Sequence, residues 1–388
     1  MKYYTDTYSG VDNIFDDILD KKNKETINKS DFVYIQRLNN ITPDKIDNIQ
    51  YFNNFIDPHN KLCQTGNYCL GNKSDFYNYF LKYYKSKPEY IPKTYSFTKN
   101  NILSIKYLFN KNKIWILKPT NAFARKGITI INNFEDLKKW ILKYNQFNNW
   151  VIQKYIENPL LYNNKKFHIR FYCLAVKSKD TFKVYLYKDG FFYLSSLHYD
   201  KNDLNLSRHL TGAKYCYVHQ VYPDLHKYLS KKNFNKLIKK SEEIIIDTMS
   251  ICEDILKCPN KNKVKFNGKC FHLFAFDLLP DVNYNLHLLE VNNGTVGMET
   301  INYRPDLCIN KSSKRLHNIS IIRQLHKDLI DVVVNDNKNT KFRQINLKNL
   351  NEKIIENFNN KSINNNNIYV IIYFMLIILI LYMIYKKL

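Results

Sequence analysis

Apolar and polar positions alternate along this chain with two different periods, which predicts a fold that mixes strands and helices. Apolar residues at every second position, or in short unbroken runs, predict strands. These strand patterns occupy residues 31–40, 113–119, 127–131, 150–156, 166–176 and 181–196. The last segment contains Asp189 and Gly190, a pair typical of tight turns, so we expect a hairpin there.

Other segments repeat apolar residues at spacings of three and four, which predicts amphipathic helices. They cover residues 74–87, 132–144 and 233–256. The first begins at Ser74, a residue type that often caps helices, and ends before Pro88. Together with the strands, these helices predict the α+β class.

The stretch 272–292 consists of two apolar runs around a polar turn, and each run contains a carboxylate that is costly to bury alone. If the runs pair as an antiparallel hairpin, Asp277 faces about Leu288 and Glu290 lies diagonally two residues along. Asp277, Glu290 and Asn292 then share one face. Three such oxygen-bearing side chains suit Mg²⁺, which takes carboxylates and completes its shell with water and phosphates. The alternative is a hairpin whose acidic residues are ion-paired.

A phosphate-bearing ligand needs cations opposite such a site. Lys118 ends an apolar strand, and a basic loop with Arg125, Lys126 and Gly127 follows it. A lysine at a strand end and a basic loop can hold phosphates as point charges. The alternative is an ordinary basic surface loop.

Composition divides the chain into successive segments. The predicted segments are an N-terminal extension (1–30), a small N-terminal α/β domain (31–98), a larger domain (99–330), an Asn-rich linker (331–367) and a transmembrane helix (368–385). The last holds 18 residues without a charged or amide side chain, close to the roughly 20 that cross a bilayer as a helix. A buried soluble helix is the alternative.

The N-terminus lacks the apolar core of a signal peptide, and none of the eight cysteines forms a CxxC pair. We therefore expect reduced thiols and a single-pass C-terminal tail anchor, with residues 1–360 in the cytosol. The 59 basic and 35 acidic residues give a net charge of +24, which favours a polyanionic partner. A diffuse surface charge from over-used lysine is the alternative, and nucleic-acid binding has only the charge in its favour.

The order of several motifs resembles the tubulin tyrosine ligase family, including its tyrosine-ligase-like glutamylases and glycylases, which are ATP-grasp ligases. The motifs are WILKP, RKGI, VIQKYIENPLL, KFHIR, HLT, FAFDLL and LLEVN, within residues 32–304. VIQKYIENPLL and LLEVN are the most specific. The resemblance implies an ATP-grasp fold, in which two α+β subdomains hold ATP between them.

The resemblance also implies roles for individual residues. Lys118 and Lys126 would contact phosphates, and Asp277, Glu290 and Asn292 would hold Mg²⁺. The segment lining the adenine would be Gln153, Lys154, Tyr155 and Ile156. Lys166 would reach the ribose or phosphates, and Arg170 the γ-phosphate and the anionic intermediate, which makes these two the candidate catalytic residues.

The implied reaction activates a carboxylate as an acylphosphate, which a free amino acid or another amine converts to an amide. The implied protein substrate is an acidic tail, with tubulin the first candidate. Four positions depart from the family pattern: Arg125, His168, Tyr193 and Gly212. Tyr193 stands where the family usually has an arginine. The alternative function is therefore an inactive membrane tether that binds ATP or tubulin.

Overall fold

The computed structural model describes most of the chain as far as residue 348. The described residues are 1–6, 11–35, 49–53, 55, 70–83, 88–110, 113–120, 122, 125–179, 181–211, 219–253, 255–258, 260–261, 264–265, 267–293 and 314–348.

Strands and helices in these residues confirm the α+β class. The strands are β1 (Tyr3–Asp6), β2 (Phe32–Ile35), β3 (Tyr51–Phe52), β4 (Thr94–Thr98), β5 (Trp115–Pro119), β6 (Thr129–Ile131), β7 (Asn149–Lys154), β8 (Leu161–Tyr162), β9 (Lys165–Lys177), β10 (Phe182–Tyr187), β11 (Phe191–Leu194), β12 (His219–Val221), β13 (Asn260–Lys261), β14 (Val264–Lys265), β15 (Lys269–Pro280), β16 (Leu286–Asn292) and β17 (Phe342–Ile345). The α-helices are α1 (Val11–Leu19), α2 (Lys73–Tyr83), α3 (Phe134–Lys143), α4 (Leu206–His209), α5 (Tyr222–Tyr228), α6 (Lys231–Cys252) and α7 (Lys314–Asn335). Short 3₁₀ helices occupy Lys21–Asn23, Ile27–Lys29 and Lys99–Phe109.

The larger sheet is built around two long antiparallel strands, β9 and β15. Its main order is β1-β2-β3-β15-β9-β10-β17, with β16 beside β15, β8 and β11 beside β9, and β12 beside β11. Nearly every residue of β9 and β15 is buried, so both strands read as continuous apolar runs. Side chains of α1 and α7, including Phe15 and Leu325, complete one hydrophobic core with this sheet.

The smaller sheet is antiparallel with the order β4-β7-β5-β6. One face packs against α3, where Trp115, Leu117 and Ile152 meet Leu137 and Ile141. Asn133 caps α3 by accepting a hydrogen bond from the Asp136 amide. The opposite face carries polar side chains, and this face forms one wall of the candidate site.

The hairpin predicted at Asp189 and Gly190 is wrong. Both β10 and β11 pair with β9, at successive positions along it, so the segment is an interrupted strand. A Cβ atom on Gly190 would lie 2.6 Å from the main-chain oxygen of Arg170. The glycine therefore permits a close approach of two strands, and the reversal of the chain lies between β9 and β10.

The predicted extension over residues 1–30 is also wrong. It contains β1 and α1, and Tyr3 and Phe15 are fully buried. Met1–Ile345 forms one compact unit, so neither residue 30 nor residue 98 separates independent bodies. The predicted linker starts too early, because α7 continues to Asn335 and β17 pairs with β10.

The helix predicted at 74–87 begins earlier, at Lys73, with Asn72 rather than Ser74 as its cap. Cys258 and Cys270 form a disulfide, against the expectation of reduced thiols. In the part of the chain that the structure describes, no helix combines the length and the apolar character needed to cross a bilayer. The predicted span at 368–385 lies outside the described residues.

Candidate active site

A narrow cleft lies where the smaller sheet meets β16 and the first turn of α2. Its lining includes Lys73, Phe76, Lys118, Gln153, Leu288 and Glu290. Side chains of β5 alternate between the two faces of the smaller sheet, and Trp115 and Leu117 face the hydrophobic core. Lys118, the next residue, must therefore face the cleft.

Lys118 is a buried cation in this wall. Its Nζ donates to Gln153 Oε1 at 2.9 Å, and Gln153 Nε2 donates to Thr94 Oγ1 at 2.8 Å. Burial, opposed by the charge of Glu290 and assisted by that of Lys73, lowers the pKa of Lys118 to about 8. Among the described residues, no carboxylate lies at ion-pair distance from Lys118.

Lys166 is a second buried cation, and it belongs to the larger sheet. Its Nζ donates to the Tyr155 hydroxyl at 2.8 Å. Burial, together with the charge of Lys118, lowers the pKa of Lys166 to about 7. Two buried ammonium groups from different sheets thus repel each other, and an anion bound near both would relieve the repulsion.

Arg170 and Asp277 face each other across β9 and β15 as a bidentate ion pair. Nε and Nη2 of the guanidinium each donate at 2.8 Å, to Oδ1 and Oδ2 of the carboxylate respectively. Both side chains are more than nine-tenths buried. The guanidinium carbon lies 4.8 Å from the centre of the Tyr193 ring, and His168 stacks on Tyr193 with ring centres 5.0 Å apart.

The hairpin of β15 and β16 has a different register from the prediction. Leu278 pairs with Leu288, and a shift at the next position places Asp277 directly opposite Glu290. The bulge at Leu289 produces this shift. Residues directly opposite each other in an antiparallel pair have their side chains on the same face of the sheet. Asp277 and Glu290 therefore share one face, as predicted, although the register differs from the predicted one. Asn292 completes the set by donating from Nδ2 to Asp277 Oδ2 at 3.0 Å.

The residue types of this set are ones that hard divalent cations prefer as ligands. Two carboxylates and one amide lie on one face of adjacent strands, and each carboxylate oxygen can accept more than one interaction. Arg170 engages both oxygens of Asp277, so the ion-paired arrangement that the sequence left open is present at this residue. Among the described residues, no cluster of three His, Cys, Asp or Glu side chains is arranged to hold a metal.

Lys73 is a cleft residue that the sequence argument missed. Its Nζ lies 3.6 Å from Glu290 Oε2 and donates to the Ala122 main-chain oxygen at 3.3 Å. It is the first residue of α2, immediately after the Asn72 cap. A lysine beside a cap was the available signal, but nothing nearby in sequence connects it to β16.

Other predicted residues lie away from the cleft side chains. Lys126 is exposed, with its Nζ 5.8 Å from the centre of the Phe147 ring. Lys154 is exposed and alternates with Gln153, so its side chain faces away from the cleft. Ile156 is partly buried. Arg125, rather than Lys126, reaches inward and donates from Nη2 to the Thr211 main-chain oxygen at 2.8 Å.

The sequence model of the tubulin-tyrosine ligase family matches residues 56–341 of this chain. The chain belongs to the tubulin-tyrosine ligase family. The match covers α2, β5 and β7, together with β9, β15 and β16, which between them carry the cleft side chains and the buried ion pair, so the family relation and the candidate site concern the same part of the chain.

Individual members of the family match over about half of this chain. Tubulin polyglutamylase TTLL5 of Mus musculus is 30% identical over 200 residues, covering 46% of this chain and 14% of that protein. A probable tubulin polyglutamylase, TTLL2 of Homo sapiens, is 29% identical over 239 residues, covering 58% and 36%. Tubulin glycylase 3B of Drosophila melanogaster is 28% identical over 201 residues, covering 46% and 25%. The chain thus spans well under half the length of these relatives.

Proposed function

We propose that this protein is an ATP- and Mg²⁺-dependent ligase that joins an amino acid to a carboxylate on a protein tail, with tubulin the first candidate substrate. One observation carries the proposal. Lys118 and Lys166 are buried cations from two sheets, and in the described part of the chain neither has a carboxylate at ion-pair distance. Such cations are costly unless an anionic ligand binds them.

In an ATP-grasp arrangement, different side chains of the site would bind the phosphates of ATP and the metal ion. Lys118, Lys166 and Lys73 would hold the phosphates. Asp277, Glu290 and Asn292 would hold Mg²⁺. ATP with Mg²⁺ would supply the phosphoryl group that activates a carboxylate for attack by an amine.

The protein contributes position and charge in this proposal. Gln153 fixes Lys118, because its carbonyl oxygen accepts from the ammonium while its amide is held by Thr94. Arg170 is aligned by the bidentate contact with Asp277, and it would stabilise negative charge that develops during phosphoryl transfer. Burial of both groups excludes water from these contacts and strengthens them.

Incorporation of a labelled amino acid tests the proposal. The full chain, purified in detergent, is incubated with ATP, Mg²⁺, tubulin and radiolabelled Tyr, Glu or Gly in separate reactions. We expect one amino acid to enter tubulin with equal release of ADP. Glu290→Gln should abolish both and leave thermal unfolding nearly unchanged, because this side chain is partly exposed. Unchanged turnover in Glu290→Gln would contradict the metal assignment.

The second candidate function is an inactive membrane tether that binds ATP or tubulin, and the surroundings of Arg170 favour it. The buried aromatic ring of Tyr193 lies beside Arg170 at the position where the sequence departs from the family arginine, so one cation is replaced there. The same assay separates the candidates. Retained tubulin binding with neither incorporation nor ADP release would favour the tether.

A further inference from the structure

The Tyr155 hydroxyl joins two buried polar side chains. It lies 2.8 Å from Lys166 Nζ and 2.7 Å from His209 Nδ1. All three residues are more than nine-tenths buried. They come from separate elements, since Tyr155 follows β7, Lys166 is the second residue of β9 and His209 ends α4. A contact among three elements at one oxygen fixes its geometry tightly.

The direction of the hydrogen bonds follows from the far end of this network. His209 Nε2 lies 2.6 Å from the Asp203 main-chain oxygen, and a carbonyl oxygen can only accept. Nε2 therefore carries the proton, and in a neutral ring Nδ1 is the acceptor. The Tyr155 hydroxyl must then donate to Nδ1, which leaves its oxygen lone pairs to accept from Lys166. The network runs one way, from Lys166 through Tyr155 and His209 to Asp203.

The surroundings of His209 favour this neutral form. Burial is the largest influence and lowers its pKa, the charge of Lys166 lowers it further, and Asp203 and Asp200 oppose the shift. The Tyr199 ring packs edge-on against the imidazole at 5.3 Å, and the Tyr199 hydroxyl, which donates to the Glu157 main-chain oxygen, also faces the Tyr155 hydroxyl. A protonated ring would carry a hydrogen on Nδ1 and could no longer accept from the Tyr155 hydroxyl.

We propose that His209, acting through the Tyr155 hydroxyl, is a positioning residue that orients the Lys166 ammonium for the phosphates of a bound nucleotide. The nucleotide in this statement rests on the proposed function. The network itself does not, because the oriented acceptor at Tyr155 exists without a ligand. In the described part of the chain, Tyr155 is the one side chain that accepts a hydrogen bond from Lys166.

The first measurement needs no nucleotide. Trace acylation of the full chain at a series of pH values, followed by mass spectrometry of the Lys166 peptide, gives the midpoint at which this amine becomes reactive. Tyr155→Phe removes the acceptor that stabilises the charged amine, so its midpoint should move to lower pH. His209→Phe should move it in the same direction. His209→Asn should restore the wild-type midpoint, because its amide oxygen can stand in for Nδ1.

The second measurement is the Kd for ATP by calorimetry. We expect Tyr155→Phe and His209→Phe to weaken binding roughly 10-fold, the loss typical of one hydrogen bond to a charged group, and His209→Asn to bind nearly as wild type. His326→Phe is the matched control, because His326 is fully buried but bonds to Ile322 within α7.

The outcomes separate the two proposals. Wild-type protein that does not bind ATP would defeat the proposed function, while the acylation midpoints would still report the network. An unmoved midpoint in folded Tyr155→Phe and His209→Phe would overturn the network. A moved midpoint with unchanged ATP affinity would overturn its role in nucleotide binding. Loss of affinity in His209→Phe without rescue by His209→Asn would assign His209 a packing role only.

Discussion

At the scale of single residues, the main feature of the candidate site is its pair of buried lysines. Lys118 and Lys166 are more than nine-tenths buried, although burial disfavours their charged forms. Residues that function in binding are often retained at a cost in stability. The same side chains should therefore weaken the fold and strengthen ligand binding.

The variant Lys166→Met should show both effects, a more stable fold and weaker ligand binding. The folded pKa of about 7 lies below the reference value of 10.5, so the charged lysine destabilises the fold fully below pH 7 and progressively less as pH rises from 7 to 10.5. The variant should gain on the order of 2 kcal/mol in unfolding free energy at pH 7, and the gain should shrink towards pH 10.5.

Urea unfolding at the two ends of this pH window measures the effect, and calorimetry should show weaker ATP binding. Lys183→Met is the control, because Lys183 is exposed on the neighbouring strand β10. A Lys166→Met variant no more stable than wild type at pH 7 would refute the argument.

The ion pair of Arg170 and Asp277 supports a second prediction. Asp277→Ala leaves a buried guanidinium without its bidentate partner and should lower the unfolding free energy by roughly 3 to 5 kcal/mol. The double variant with Arg170→Met should recover part of this loss. Glu242→Ala is the control, since Glu242 pairs with Arg343 at the partly exposed surface. Denaturant titration that gave equal losses for Asp277→Ala and Glu242→Ala would contradict it.

Several site residues could be predicted from the sequence because polar side chains interrupt apolar strands. Lys118, Arg170 and Asp277 are such interruptions, and the structure places each in or beside the cleft. The family motif does not state which strand face a residue occupies, so it could not predict that the Lys154 side chain faces away from the cleft. Lys73 was missed because only the tertiary fold brings α2 to β16.

At the scale of elements, short strands limited what the sequence could predict. The long strands β9 and β15 match their apolar runs closely, whereas β1 has four residues and is defined by parallel pairing with β2. No local pattern distinguishes such a strand from a polar extension. Asp189 and Gly190 are residue types typical of tight turns, but the strands on either side of them pair with β9 and not with each other.

Gly190→Ala tests the interrupted strand. A methyl group would lie 2.6 Å from the Arg170 main-chain oxygen and against the Tyr222 ring, so strands must separate beside the site. We expect a loss of about 1 to 3 kcal/mol in unfolding free energy, typical of overpacking. The neighbouring Asp189→Ala should cost less than about 1 kcal/mol, because it removes only a partly exposed ion pair with Lys341. A tolerated Gly190→Ala would favour an open turn at this position.

At the scale of the whole molecule, the cleft lies within one compact unit, Met1–Ile345, and residues 346–388 follow it. Residues 368–385 are uncharged and strongly apolar. Transfer of such a segment from water into hydrocarbon is favourable, and a helix satisfies its backbone hydrogen bonds internally. We propose that this segment anchors the protein to a membrane with the Met1–Ile345 unit in the cytosol.

Flotation with liposomes tests the anchor. The full chain should float with the vesicles and resist alkaline carbonate, whereas a chain ending at residue 360 should remain at the bottom of the gradient. High salt provides the necessary distinction, because the net charge of +24 could hold the protein electrostatically on anionic lipid. Binding through charge would be lost in salt and would persist in the truncated chain. If residues 368–385 insert into the bilayer, binding should persist in high salt and be absent from the truncated chain. Neutral liposomes should then capture the full chain as well as anionic liposomes do.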